Sequence, residues 1–327
     1  MKNKSYVLTL FLCVVVLTFG FSVTSVAKDF PNHNIRYVNH NNPGSGTDRV
    51  ARMMAKVITD NNFLPVPIKV ENKPGGSGEV ARAYVTQHAG DAHYLMTVQP
   101  TSLSVPLKLD SKFTFDTFTP IANLLVDTNV IAVSYDSPYK NLKDLIDAAK
   151  KEPGKITIVG TSMGGIEYFA QYLLAKAGGV KTKFLAVGAT QVIPQVLGGH
   201  MDAMSANPTE VLQLYEAKKL RIIAVLSEER MASFPEIPTA REQGYDVVLY
   251  SFRGVSAAGN ISEEEADYLT KVFEKGCQTD QWKEFVKKNG SELKFIPRKE
   301  YFKFLERENV KYEEMLKEAG MYKTGKK

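Results

Sequence analysis

What most constrains this chain is a repeated order of elements: from Ile35 onward, apolar runs of strand length alternate with stretches of helical periodicity. Ile35 to Val38 reads as a strand, Thr47 to Asp60 as a helix, Ile68 to Val70 as a strand, Glu79 to Gln87 as a helix and Tyr94 to Val98 as a buried strand. Repeated strand-helix units predict a mostly parallel sheet flanked by helices. After an extended run from Ile121 to Val133 a second series begins. It comprises a helix from an Asn141 cap to Lys151, strands at 156–159, 183–187, 203–205 and 221–226, and helices at 166–177, 191–197 and 209–217 between them. A second extended run, Val247 to Phe252, leads through 254–258 into three final helices, the first opened by the capping-box spacing of Ser262 and Glu265. The chain length exceeds what one core usually fills, so the expectation is an α/β protein of two lobes joined by two extended crossovers. Residues 28–128 plus 250–327 make lobe 1 and residues 129–249 lobe 2. A double crossing is a hinge, able to close lobes by turning a few backbone dihedrals.

The N-terminus reads as a secretory signal. Lys2 and Lys4 precede an apolar stretch from Val7 to Phe21, and Ser25-Val26-Ala27 supplies the small residues of a peptidase site, so residues 1–27 form a signal peptide cut after Ala27. The expected location is periplasmic. Cys13 lies inside the apolar core and not at its end, which argues against a lipid anchor. Removing the signal takes the formal charge from +5 to +3, since only Lys2 and Lys4 are lost, and no block of five like charges occurs anywhere. Nucleic acid is therefore not the expected partner. Cys277 is left alone, without a disulfide partner or a metal-type cluster, and reads as a small buried residue.

The turns carry the functional signal. Asn41-Asn42-Pro43-Gly44-Ser45-Gly46-Thr47-Asp48 leads from the first strand straight into a helix. Glycines allow close approach of a ligand, and the free amides of a helix start favour an anion. The third glycine of a dinucleotide fingerprint is replaced by Arg49 and no Walker lysine follows, so the alternative is a plain turn capped by Asp48. Pro74 to Gly78 makes a second glycine-rich turn, and Gln99-Pro100-Thr101-Ser102 places hydroxyls at the end of the third strand, where ligands bind in open α/β sheets. Gly160-Thr161-Ser162-Met163-Gly164-Gly165 matches the nucleophile elbow G-x-S-x-G. A hydrolase needs an acid and a histidine after that serine, yet only His200 follows and only Glu167 lies between. Ser162 is thus expected to donate a hydrogen bond and not to attack a substrate. His33, His40, His88 and His93 show no metal-ligand spacing, and only His40 borders the first cradle. Thr190 and Asn207 begin further helices after strands, with helix capping as the alternative role.

These segments, with Phe30-Pro31, Ile35-Arg36, Ala51-Arg52 and Val70-Glu71-Asn72-Lys73-Pro74-Gly75-Gly76-Ser77-Gly78, resemble the extracytoplasmic receptors of tripartite tricarboxylate transporters, the Bug or TctC family. Phe118 to Ala122, Val196 to Asp202, Lys219 to Arg221 and Phe234 to Thr239 extend the likeness over nearly all of the mature chain. The resemblance implies a Venus-flytrap fold of the periplasmic-binding-protein type. Such a receptor is not an enzyme, uses no cofactor or metal, and acts as a monomer. It holds a small organic carboxylate through amides, hydroxyls and waters, then delivers it to the large and small membrane subunits of a permease. Transferred by position, the site comprises Ser45, Gly46, Thr47, Asp48, Thr101 and Ser102 in lobe 1, with Thr161, Ser162, Gly164, Gly165, Thr190, Asp202 and Asn207 in lobe 2. Asn39-His40-Asn41-Asn42 departs from the apolar or proline residues usual there, and implies a more polar rim and a different ligand. A receptor for a membrane sensor has the same fold and is the main alternative; a serine hydrolase at Ser162 is the other.

Overall fold

A computed structural model of the protein describes residues 30–323 apart from 162, 232 and 233. The expected signal peptide and Ser162 lie outside the described residues. Two sheets form, ordered β11-β4-β10-β3-β1-β2 and β7-β6-β8-β5-β9. The first contains β1 (Ile35–Asn39), β2 (Ile68–Asn72), β3 (Tyr94–Val98), β4 (Thr119–Thr128), β10 (Tyr250–Ala257) and β11 (Glu292–Pro297). The second contains β5 (Val130–Ser134), β6 (Thr157–Gly160), β7 (Lys183–Ala186), β8 (Ala203–Ala206) and β9 (Leu220–Val225). β1 to β3 are parallel, as are β6 to β8, while β10, β11 and β5 run against their neighbours. The mostly parallel expectation thus becomes a mixed sheet in each case, because β5 and β10 are strands that have just crossed from the other sheet and enter in the opposite sense.

Helices follow the strands as the periodicity predicts: α1 (Gly46–Asp60), α2 (Glu79–Thr86), α4 (Leu142–Lys151), α5 (Ile166–Gly178), α6 (Ala189–Leu197) and α7 (Pro208–Glu216). α1 starts at a Ser45 cap whose hydroxyl accepts from the Asp48 amide, and it buries Ala51, Met54, Ala55 and Ile58, one helical face, against the first sheet. An additional helix, α3 (Thr101–Leu109), occupies what the sequence presents as a loop, and Pro106 lies within it. α8 (Glu263–Gln278), α9 (Asp280–Lys288) and α10 (Arg298–Glu318) complete the chain. β11 is a strand the sequence did not announce.

The two crossings are linked through Leu226 where they pass between the sheets. Asn129 alone separates β4 from β5; its carbonyl accepts from the Leu226 amide at 2.9 Å, and the Leu226 carbonyl accepts from the Leu249 amide at 2.9 Å. The C-terminal stretch, expected in lobe 1, also contacts elements of the second sheet. α10 begins with Arg298 paired to Glu263 and Asp267 on α8, but ends with Tyr312 packed on Phe169 at 5.3 Å between ring centroids and Glu318 paired to Lys176, both partners on α5. α10 therefore contacts helices that flank each of the two sheets. Its buried residues Tyr301, Phe304, Leu305 and Leu316 belong to a core that also includes residues of both sheets, such as Val98 and Ile158. Among the described residues no helix is long and apolar enough to cross a membrane.

Candidate functional site

The turns after β1, β3, β6 and β8 all leave the C-terminal ends of parallel strands and meet between the sheets, as binding turns do in open α/β folds. They line contiguous recesses of about 540 to 700 Å³, open mouths included. Gln99, Asn207 and Arg253 are common to two of these recesses, and Gln99 and Thr101 to the next pair.

The β1–α1 turn is held from behind. Asp48 is buried; it accepts from the Gly44 amide at 2.9 Å, from Arg52 Nε at 3.0 Å and from Asn72 Nδ2 at 2.8 Å. Burial by itself raises the Asp48 carboxyl, but the hydrogen bonds from Arg52, Gly44 and Asn72 outweigh it and hold it below the usual carboxylate range. Asp48 orders the loop instead of facing a ligand. Ser45 caps α1, while Gly46 and Thr47 line the recess at the helix start, where first-turn amides have no intrahelical acceptor. Asn41 Nδ2 donates to Thr47 Oγ1 at 2.9 Å, so the polar rim foreseen at Asn39–Asn42 shapes this turn.

Arg253 is the residue the sequence reading missed. It lies on β10, donates Nε to Asp127 Oδ2 at 2.9 Å and Nη1 to Gln99 Oε1 at 2.7 Å, and its side chain is 12 % exposed. Its Nη2 is 3.8 Å from where a side chain on Gly46 would begin, which sets the guanidinium beside the start of α1. Asp127 and Gln99 do not use up the five donors of a guanidinium. The signal was present: Asp127 is the one charge within the first extended crossing, and Arg253 follows directly on the uncharged second.

Gln99 is oriented by His40. Gln99 Nε2 lies 2.9 Å from His40 Nε2, and His40 Nδ1 lies 3.1 Å from Thr97 Oγ1, which donates onward to Asn39 Oδ1 at 3.1 Å. Burial, then the nearby Arg82 and Arg253, depress the His40 pKa to about 3. The ring is therefore neutral: Nε2 accepts from Gln99, Nδ1–H donates to Thr97, and the Gln99 carbonyl is left facing Arg253.

On the second sheet, Thr161, Gly165, Glu167 and Asn207 line one recess, and Gly164 another beside Met163, whose carbonyl accepts from Lys108 of α3 at 3.1 Å. A Cβ at Gly160 would stand 2.5 Å from Glu167 Cβ, so only glycine lets the first turn of α5 close on the end of β6. Other expected residues lie elsewhere. Ser102 is buried and accepts from the Gln99 amide at 3.2 Å, shaping the turn while Thr101 faces the recess. Thr190 is exposed and does not line these recesses. Asp202 is not brought together with the others: it accepts from the Thr157 amide at 2.8 Å and hydroxyl at 2.7 Å, at the starts of β6 and β8, the end of the sheet remote from the recesses. His200 precedes β8 at that same remote end, whereas the Gly160–Gly165 turn leaves the far end of the parallel β6, so the length of the sheet separates them.

His33, Asp91 and His93 come within 4.8 Å of one another, a grouping the sequence spacing hid. The His93 nitrogens are already engaged, Nδ1 with Asp91 at 2.7 Å and Nε2 with the Asn32 amide at 3.3 Å, and the two imidazoles stack at 3.6 Å and 21°. Stacked rings do not aim their nitrogens at one ion.

Residues 50–321 match the model of the tripartite tricarboxylate transporter family receptor. The chain belongs to this receptor family. A UPF0065 protein from the gbd 5′ region of Cupriavidus necator is 27 % identical over 307 residues, 91 % of each chain. Among solved structures, a TctC solute-binding protein from Polaromonas superposes with a TM-score of 0.78 at 23 % identity, covering 88 % of this chain and 99 % of that one. An R. palustris protein with adipate gives a TM-score of 0.77 at 20 % identity, covering 89 % and 99 %. Both structures share the two-sheet fold over most of this chain.

Proposed function

We propose that this protein is an exported receptor that closes two lobes, residues 28–128 with 250–327 and residues 129–249, around a small organic carboxylate. It passes the solute unaltered to a permease with a large and a small membrane subunit. The observation that carries this reading is the Arg253 guanidinium set beside the start of α1 in the recess between the sheets. A guanidinium and free helix-start amides both favour an anion, and together they fix where it sits. The adipate held by the R. palustris protein of the same fold supports the carboxylate class.

In this reading Gly46, Thr47, Thr101, Thr161, Gly165 and Asn207 face the solute together with Gln99 and Arg253. Gly164 belongs to the same turn as Thr161, and Ser162 follows Thr161 in sequence; Ser45, Asp48 and Ser102 shape the turns behind. Thr190 and Asp202 take no direct part. Thermal unfolding of ligand-stripped protein with a panel of mono-, di- and tricarboxylates tests the reading. At least one member raises the midpoint by several degrees, and Arg253→Gln weakens its binding roughly tenfold or more. No response to any carboxylate refutes it. The mass of protein recovered from the periplasm tests export: it starts at Lys28, and retention of residues 1–27 refutes cleavage after Ala27.

A further inference from the structure

α3, the helix that the sequence presents as a loop, forms one wall of the cleft far from Arg253. Thr101, Ser104, Val105 and Lys108 fall at helical spacing, and all four line the same recess, so a single stripe of α3 faces it. Met163 and Gly164, in the turn after β6, line that recess from the other sheet. It continues into the next recess through Gln99 and Thr101, and that one into the recess at the start of α1 through Gln99, Asn207 and Arg253. The space is therefore elongated, with a cation toward each end. Gln99 fixes the near end, accepting from Arg253 at 2.7 Å and donating to Thr101 Oγ1 at 2.8 Å. From Thr101 to Lys108 the helix rises about 10 Å.

The two cations are matched differently. Arg253 is paired to Asp127 at 2.9 Å. Lys108 is half-buried, forms no ion pair among the described residues, and has no acid lining its recess. Its ammonium donates to the neutral Met163 carbonyl at 3.1 Å, which occupies one of three donors. Val105, Leu109 and Met163 supply apolar surface beside it. Glu167 borders the middle recess, where burial raises its carboxyl and so weakens its opposition to a passing anion. We propose that the recess at Lys108 is a second anion subsite, taking the far carboxylate of an elongated dicarboxylate whose first carboxylate meets Arg253 and the start of α1 and whose methylenes lie along α3. This rests on the carboxylate-receptor reading above and adds the length of the solute and the residue that reads it.

Calorimetric titration of ligand-stripped protein with the dicarboxylates from succinate to suberate, each against the straight-chain monocarboxylate of equal carbon number, tests it. Adipate or a longer member binds roughly tenfold more tightly than its monocarboxylate counterpart, whereas succinate, too short to reach Lys108, gains little. Lys108→Met keeps the aliphatic stem and removes the charge: the advantage is lost while monocarboxylate affinity is unchanged, and Lys108→Arg retains most of the advantage. A series in which monocarboxylates bind and no dicarboxylate exceeds its counterpart overturns the inference and leaves the carboxylate reading standing. An advantage that survives Lys108→Met overturns the assignment to this residue. Equal losses for both classes in that variant reduce Lys108 to a contact between the sheets and overturn the subsite too. Silence from every probe overturns both readings.

Discussion

Gln99 Nε2 lies 2.9 Å from Nε2 of His40, a nitrogen that burial keeps unprotonated, and this contact turns the Gln99 carbonyl toward Arg253 at 2.7 Å. A protonated His40 would present a donor to a donor and release that carbonyl. His40→Phe removes the acceptor, and carboxylate affinity falls about tenfold while the far-ultraviolet circular dichroism is unchanged. Equal affinity in the variant would show that Gln99 holds Arg253 unaided.

The same histidine makes stability depend on pH. Its folded pKa, about 3, lies below its unfolded value, so between the two the unfolded chain binds the extra proton and stability rises with pH. His40 therefore contributes fully above the unfolded histidine value and progressively less as pH falls toward 3, by at most about 1.4 kcal/mol per pH unit. Asp48, whose pKa is depressed, contributes above the unfolded carboxylate value and loses its share as pH falls through its folded value. Urea midpoints measured from pH 7 to pH 4 decline, and the decline is shallower in His40→Phe. An identical slope in both proteins would contradict the burial of a neutral ring.

Gly46→Val tests the first cradle without breaking the fold. A Cβ there meets Arg253 Nη2 at 3.8 Å, an ordinary contact, but the added methyl groups fill the space between the helix start and the guanidinium. Affinity drops by about tenfold or more with little change in melting temperature. Unchanged binding would exclude this turn from the site.

Asp127→Asn leaves Arg253, 12 % exposed, without its counter-charge. Stability falls by about 2 kcal/mol in urea unfolding, because a mostly buried cation loses its partner. Anion affinity rises in the same variant, since the guanidinium is no longer neutralised. A stable variant with unaltered affinity would mean that the pair is solvent-screened.

Gly254 is required by crowding. A Cβ there would lie 2.1 Å from Tyr301 Oη and 2.9 Å from the Ala122 carbonyl, so Gly254→Ala costs about 2 kcal/mol. The Tyr301 hydroxyl is buried with no partner among the described residues, and Tyr301→Phe on its own is neutral or stabilising. Combined with Gly254→Ala it recovers part of the loss; no recovery would place the clash in the backbone.

The sequence by itself determined what depends on neighbours along the chain. The βα order, the Asn141 and Ser262 caps, the glycine turns and both crossings are local, set by periodicity and by the few residue types that suit a helix start, although at α1 the cap is Ser45 and not the Asp48 that the sequence suggested. The two local failures have local causes. α3 hides behind Pro106 and a run of hydroxyl residues, and β11, half exposed from Glu292 to Pro297, lacks the alternation of a buried strand. Only the tertiary structure decided which polar residues meet. Arg253 reaches Asp127 across 126 positions and Gln99 across 154, while Gln99 reaches His40 across 59. Asp202, expected among the ligand residues, joins the starts of β6 and β8 at the end of the sheet away from the recesses. Side-chain pairing across such separations is set by strand order and by the sense in which each crossing enters its sheet, and neither leaves a periodic trace in the chain.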